Sequence, residues 1–89
     1  MKLVKDDDYR RKERKFLKKR PHLADRYGEV LEKLQIDPFD PSLKTHKLKG
    51  DLSEFHSCSL TYEYRIICIF FIQDDTIVLV NIGSHDQVY

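Results

Sequence analysis

Two apolar runs rich in β-branched residues, 64–72 and 76–82, stand three polar residues apart, and this pairing constrains the chain more than any other feature. Both are too short for ordinary helices, and both carry the Ile, Val and Phe content of strands. The spacer Gln73-Asp74-Asp75 has the length and polarity of a hairpin turn. The near-continuous apolarity of 64–72 predicts a central strand covered on both faces. A third run over 55–60 alternates unevenly, as a strand with one wetter face does, and completes an antiparallel meander. Gly83 is expected to break the last strand at Ile82, leaving a polar tail with His85 and Tyr89. Core packing accounts for the strand. It does not account for a tail that is both polar and aromatic, which reads as one wall of a site.

The N-terminal half has helical grammar. Residues 2–5 form a candidate edge strand with Leu3 facing inward. Asp6, Asp7 and Asp8 supply an N-cap and favourable negative charge for a helix over about 8–19. Pro21 is tolerated in a first turn, so a second helix is expected to open there. Its Leu23, Tyr27, Val30, Leu31 and Leu34 make one apolar stripe. So short a connection predicts an antiparallel helical hairpin. Asp37-Pro38 and Asp40-Pro41 end the second helix, and 42–50 reads as a basic loop. With no repeat and no linker, residues 1–89 read as a single domain. The expected class is α+β, an N-terminal helical hairpin packed on a small antiparallel β-sheet.

Charge is distributed unevenly. Residues 1–50 hold 15 Lys and Arg against 9 Asp and Glu, while residues 51–89 hold 1 against 6. The net +6 and −5 of the two halves hide within an overall charge of +1. A basic half of this kind suits a polyanion or an acidic protein, although a solvated helix surface gives the same composition. No stretch approaches the ~18 apolar residues of a membrane span, and no signal peptide is apparent, so a cytoplasmic protein with no membrane partner is expected. Cys58 and Cys68 lie in expected strands without metal-type spacing and read as buried free thiols. No His or Cys pair has ligand spacing, so neither a metal nor another cofactor is expected.

Several residues carry possible chemistry. Arg65 interrupts an apolar strand, where a charge is costly unless paired or set at the edge of the core. It either grips a phosphate or forms an internal salt bridge to Glu63 or Asp86. Alternation places it on the face of Ile67, Ile69 and Phe71. His46 stands among Lys44, Lys47 and Lys49, as an acid–base group or as an ordinary surface histidine. His85 follows Gly83 in what looks like a shaped turn. Glu63 is a second candidate base, or a solvated turn residue. Tyr89 has the chemistry to stack on a base or to donate to a phosphate. His22 and His56 have no companions and read as structural.

Three segments taken together resemble the RelE/ParE toxin superfamily, in its YafQ-like branch: His46-Lys47-Leu48-Lys49-Gly50, then 57–67 (Ser-Cys-Ser-Leu-Thr-Tyr-Glu-Tyr-Arg-Ile-Ile), then 81–89 (Asn-Ile-Gly-Ser-His-Asp-Gln-Val-Tyr). The resemblance implies a RelE-like fold and the toxin of a bacterial type II toxin–antitoxin system. It implies a ribosome-dependent mRNA endonuclease that needs no metal, in which the 2′-hydroxyl attacks the adjacent phosphate to leave a cyclic phosphate. By position, His46 matches the histidine that opens the family's loop motif, and Glu63 falls where the YafQ branch has an aspartate. Arg65 falls at the strand arginine of the RelE branch. His85 matches the YafQ-type histidine after the last strand, and Tyr89 the terminal aromatic. Ser59 departs from the pattern, standing where the YafQ branch has a further histidine. The resemblance implies His46 or Glu63 as base, His85 as acid, Arg65 as phosphate clamp and Tyr89 as the group orienting the nucleotide. Lys44, Lys47, Lys49, Arg10, Arg11 and Arg14 would hold RNA backbone. The implied partners are the ribosome, mRNA and a cognate antitoxin. Two other readings stay open: a ParE-like toxin that poisons DNA gyrase without nuclease chemistry, and a non-catalytic nucleic-acid-binding module.

Overall fold

A computed structural model describes residues 1–89. The chain runs β1 (Lys2–Lys5), α1 (Asp7–Lys19), α2 (Ala24–Ile36), β2 (His46–Lys47), β3 (His56–Ser59), β4 (Tyr64–Phe71), β5 (Thr76–Ser84) and α3 (His85–Val88). The five strands lie in the order β1-β5-β4-β3-β2. All neighbours are antiparallel except β1, which pairs in parallel with β5, Leu3 opposite Ile77. The expected α+β class, with helices laid on a small and mostly antiparallel sheet, is what the chain adopts.

Local chemistry accounts for the helices. The Asp6 carboxylate accepts the Tyr9 N–H at 2.7 Å and caps α1, whose first turn carries Asp7 and Asp8 and whose last carries Lys18 and Lys19. Pro21 does not open α2. Pro21–Leu23 forms a 3-10 turn that reverses the chain, and α2 begins at Ala24. Tyr9 and Phe16 of α1 and Tyr27, Val30 and Leu34 of α2 meet Cys58, Leu60, Ile66, Cys68, Ile77, Leu79 and Ile82 of the sheet side. Each large aliphatic buried there contributes ~1.5–3 kcal/mol. A polar chain crosses this layer: the Tyr9 and Tyr27 hydroxyls lie 2.6 Å apart, Tyr27 donates to Glu13 at 2.5 Å, and Lys5 pairs with Glu13 at 2.6 Å. Burial pushes both phenols far up from their ordinary range. Cys58 and Cys68 are free and fully buried, as expected.

Four further expectations need correction. Gly83 does not break β5, because pairing with β4 continues through Arg65–Gly83 to Tyr64–Ser84. Beyond Ser84 the chain winds into the helix α3 rather than an open tail. The basic loop contains the edge strand β2, two residues too short to show any period. β4 is the middle strand, but its second face is buried only at Ile67, which lines a small pocket with Leu48, Leu52, Phe55, Val80 and Val88. A bulge opposite Ile67 and Cys68 lets Leu79 and Ile82 both enter the helix-side core while Val80 and Asn81 line the other side.

Candidate active site

Directly opposed residues of antiparallel strands share a face. His46 opposes Ser57, Ser57 opposes Ile67, Ser59 opposes Arg65, and Arg65 opposes Gly83. Cys58, Ile66 and Cys68, at the alternate positions, fill the helix-side core. The face turned away from the helices therefore carries His46, Ser57, Ser59 and Arg65, drawn from three strands. Gly83 lies in the same row, and α3 starts two residues beyond it.

His46 is exposed, and its Nδ1 lies 3.0 Å from the Lys44 carbonyl oxygen. A carbonyl only accepts, so Nδ1 carries the proton and a neutral ring leaves its lone pair on Nε2. The carbonyl is aimed there by a built turn. Asp40 accepts both the N–H and the Oγ–H of Ser42, at 2.8 and 2.7 Å, and Lys44 adopts a left-handed backbone at φ 49°. The bonds from Ser42 hold the Asp40 carboxyl below its usual range.

Arg65 is half-buried and has no ion pair, so neither Glu63 nor Asp86 is its partner. Its Nη1 donates to Ser59 Oγ at 3.0 Å and to the Thr61 carbonyl at 2.7 Å. Ser59 Oγ in turn donates to the Thr61 carbonyl at 3.0 Å. One corner of the guanidinium is thus spent on neutral oxygens, while Nε and Nη2 have no protein partner. A guanidinium fixed this way keeps its full charge for an external anion.

α3 brings the last two candidates to this face. The phenol of Tyr89 donates to Ser57 Oγ at 2.5 Å. Its ring meets the His85 ring edge to face, with centroids 4.2 Å apart. His85 Nδ1 lies 3.7 Å from Asp86, and both side chains are mostly exposed. Ser84 and Gln87 form a reciprocal capping box, Gln87 Oε1 accepting the Ser84 N–H at 2.9 Å. A Cβ on residue 83 would stand 2.8 Å from Gln87 Oε1, so glycine is what lets α3 fold back. His46, Arg65, His85 and Tyr89 are in this way linked through Ser57, Ser59 and the strand register.

The other expected residues lie apart. Glu63 is exposed in the turn between β3 and β4, and its side chain makes no ion pair or hydrogen bond. Lys44, Lys47 and Lys49 are exposed around His46. Arg10 and Arg14 line a shallow groove on one flank of α1 with Glu13, Leu17 and Lys18, and Arg11 pairs with Asp8 at 3.5 Å. Sequence reasoning missed Ser57, the buried polar residue of the sheet. The signal for it was two serines, 57 and 59, at the period of one strand face.

Over residues 1–89 the sequence matches the family model described as a bacterial toxin of type II toxin–antitoxin systems, YafQ. The chain belongs to the YafQ toxin family. Solved structures share its fold along nearly the whole length. A metal-bound toxin from Helicobacter pylori is 26% identical with a TM-score of 0.80, covering 100% of this chain and 99% of the other. YafQ from E. coli has a TM-score of 0.80 at 12% identity, covering 98% and 96%. The YoeB–YefM complex from Staphylococcus aureus contributes a match with TM-score 0.76 at 16% identity, covering 96% and 97%. No curated protein matches the chain in sequence. The resemblance to the YafQ-like branch is thereby borne out. Although one relative is metal-bound, no three His, Cys, Asp or Glu side chains of this YafQ-family chain converge as ligands, so its residues do not fit a resident ion. No helix is long and apolar enough to cross a membrane.

Proposed function

We propose that this YafQ-family toxin is a ribosome-dependent mRNA endonuclease whose side chains cut RNA through the neighbouring 2′-hydroxyl. The observation that carries the reading is Arg65, a half-buried guanidinium with no carboxylate partner, on the sheet face that also holds His46. Cleavage of this type needs a base, an acid for the leaving oxygen and a cation for the charge gathering on phosphorus. His46 Nε2 takes the 2′-hydroxyl proton, and the oxygen attacks the adjacent phosphorus. Nε and Nη2 of Arg65 hold the phosphoryl oxygens as the fifth bond to phosphorus forms. His85 then gives a proton to the departing 5′-oxygen, leaving a 2′,3′-cyclic phosphate and a 5′-hydroxyl. Tyr89 orients the His85 ring through their edge-to-face contact and contacts the nucleotide. Glu63 is the competing base, with the disadvantage of its solvent-facing turn.

Lys44, Lys47 and Lys49 beside His46, together with Arg10, Arg11 and Arg14, supply affinity for RNA backbone without reading sequence. A cognate antitoxin, acidic and partly disordered when free, would cover the basic surface and block the site.

The test is cleavage of mRNA on programmed ribosomes. His85→Ala and Arg65→Ala are each expected to keep the fold and lose cleavage by at least ~100-fold, the scale on which removing one acid or one charge-stabilising donor acts. Wild-type rates in either variant reject that residue's role. Toxicity through DNA damage with translation intact would favour the gyrase reading instead.

A further inference from the structure

We propose a second phosphate subsite, built where α1 passes α3, that holds an RNA backbone phosphate beyond the one being cut. It rests on the nuclease reading and extends it with residues that have no part in that chemistry. A cavity of about 180 Å³ opens between the two helices, walled by Lys12, Lys15, Lys19 and Arg20 of α1 and its cap and by Gln87 of α3, with Phe16 beneath. No carboxylate lines it. Among its cations, Lys12 pairs with the exposed Asp8 at 3.1 Å.

Arg20 marks this as a site rather than a solvated basic flank. Its guanidinium carbon lies 4.5 Å from the Phe16 ring centroid and 4.6 Å from that of Tyr64, and these rings pack edge to face at 5.1 Å. Stacking on two rings immobilises the group. Yet none of its side-chain N–H donors has a protein acceptor, and it forms no ion pair. The ordering cost of the guanidinium is met by the fold while its hydrogen-bonding edge stays free, the arrangement that favours an incoming anion. Lys12, Lys15 and Lys19 repel one another at spacings of three and four residues, which costs the isolated helix roughly a few tenths of a kcal/mol per pair. An anion in the cavity would relieve that repulsion.

Phosphodiester fits better than carboxylate. A planar fork flanked by point charges grips a phosphate with two donors while the lysines neutralise it. The cavity is open to solvent, so a chain can enter and leave. Its Gln87 wall belongs to the helix that carries His85, so α3 joins the cavity on the helix side of the sheet to the catalytic row on the other. Gln87 Oε1 is occupied by Ser84, so its amide N–H groups are the part free to meet the ligand.

The test uses the whole protein and a single-stranded RNA with 2′-O-methyl sugars throughout, which cannot be cut, with affinity followed by anisotropy across a salt series. Arg20→Gln is expected to weaken binding about tenfold at ~100 mM salt and to reduce the slope of log affinity against log salt by about 0.7, the value for one phosphate on a single strand. Arg20→Lys should keep most of the slope and lose part of the affinity. Lys2→Gln, the same charge change at the far edge of the sheet, should leave the slope unaltered. Equal losses in Arg20→Gln and Lys2→Gln overturn the subsite, as does an Arg20→Gln variant that binds RNA normally but no longer binds the antitoxin. If Arg20→Gln does not fold, the exposed pair Lys15→Gln with Lys19→Gln replaces it and must lower the slope by more than about 1. Failure of the wild-type protein to bind the free RNA overturns the subsite and leaves the ribosome-dependent nuclease reading standing, because that reading fails only if mRNA is not cut on programmed ribosomes.

Discussion

Replacing Gly83 by alanine separates the stability of the sheet from the seating of α3. Gly83 lies inside β5 opposite Arg65, and its φ is not positive, so the backbone accepts alanine. In a strand interior the exchange stabilises by about 0.5–1 kcal/mol, through lost freedom in the unfolded chain. Against this, the new Cβ meets Gln87 Oε1 at 2.8 Å, Gln87 Cβ at 3.3 Å and Val88 Cγ1 at 3.4 Å. The oxygen can swing away only by giving up the Ser84 N–H, which costs about 1 kcal/mol as a lost cap bond. The Gln87 Cβ contact requires the helix to give by a few tenths of an ångström, while the Val88 Cγ1 distance is ordinary van der Waals contact.

How much this matters depends on how firmly α3 is held. The capping box, the Tyr89–Ser57 bond and the His85–Tyr89 ring pair contribute roughly 1 kcal/mol each. The half-buried Val88 adds roughly 1 more. Ordering the four residues of α3 costs at least about 1 kcal/mol apiece in backbone entropy. Gains and costs nearly cancel, so losing about 1.4 kcal/mol shifts the seated population about tenfold. We expect Gly83→Ala to cleave mRNA on ribosomes about tenfold more slowly, while urea unfolding moves by less than about 1 kcal/mol. Adding Gln87→Ala removes the 2.8 Å contact, so in that background the glycine substitution should cost less than about threefold. A wild-type rate in Gly83→Ala, or strict additivity with Gln87→Ala, would refute the claim that α3 must sit against Gly83.

Buried polar groups supply two more tests. Tyr27→Phe removes the hydroxyl between Tyr9 and Glu13 and leaves both short of a partner, so it should lower stability by about 1–3 kcal/mol in urea unfolding; a loss under about 0.5 kcal/mol would contradict the network. His56 stacks on Phe70 at 4.6 Å, with Nδ1 buried and unpartnered, and burial followed by Lys47 and His46 lowers its pKa. With the folded value below the unfolded ~6.5, the unfolded chain binds the extra proton first, so stability is full above pH ~6.5 and falls as pH drops through that value toward the folded one. His56→Phe should flatten the fall in Tm between about pH 7 and 5, and an unchanged profile would exclude His56 as its source.

What could be read from the sequence is what local pattern determines. The β4 and β5 runs, the Asp6 cap and the Leu23-to-Leu34 stripe each act within one element, so composition and period expose them. β2 is set by pairing His46 with Ser57 and Lys47 with His56, and two residues carry no period of their own. Gly83 looks like a breaker because glycine is a poor strand former, yet its role is to leave room for Gln87, which only the folded chain reveals. α3 likewise draws its order from Ser57 and Gly83 rather than from helix propensity. His46, Arg65, His85 and Tyr89 were legible as residues, but the row of cross-strand partners joining them was not.

Ser59 shows why that row matters. A serine where the YafQ branch has histidine looks, in sequence, like the loss of a titrating group. In the fold its hydroxyl accepts from Arg65 Nη1 and donates to the Thr61 carbonyl. That relay fixes the guanidinium without neutralising it, whereas a carboxylate would fix it and cancel the charge a phosphate needs. An imidazole there would be bulkier, and its cationic form would repel Arg65. The exchange gives up a proton carrier and gains a neutral anchor for the cation. In the proposed mechanism proton removal then falls to His46, whose Nδ1 is already committed to the Lys44 carbonyl and whose Nε2 is the open lone pair. The proposed division of labour is between a clamp held by neutral oxygens and a base held by a backbone carbonyl, two strands apart on one face of the sheet.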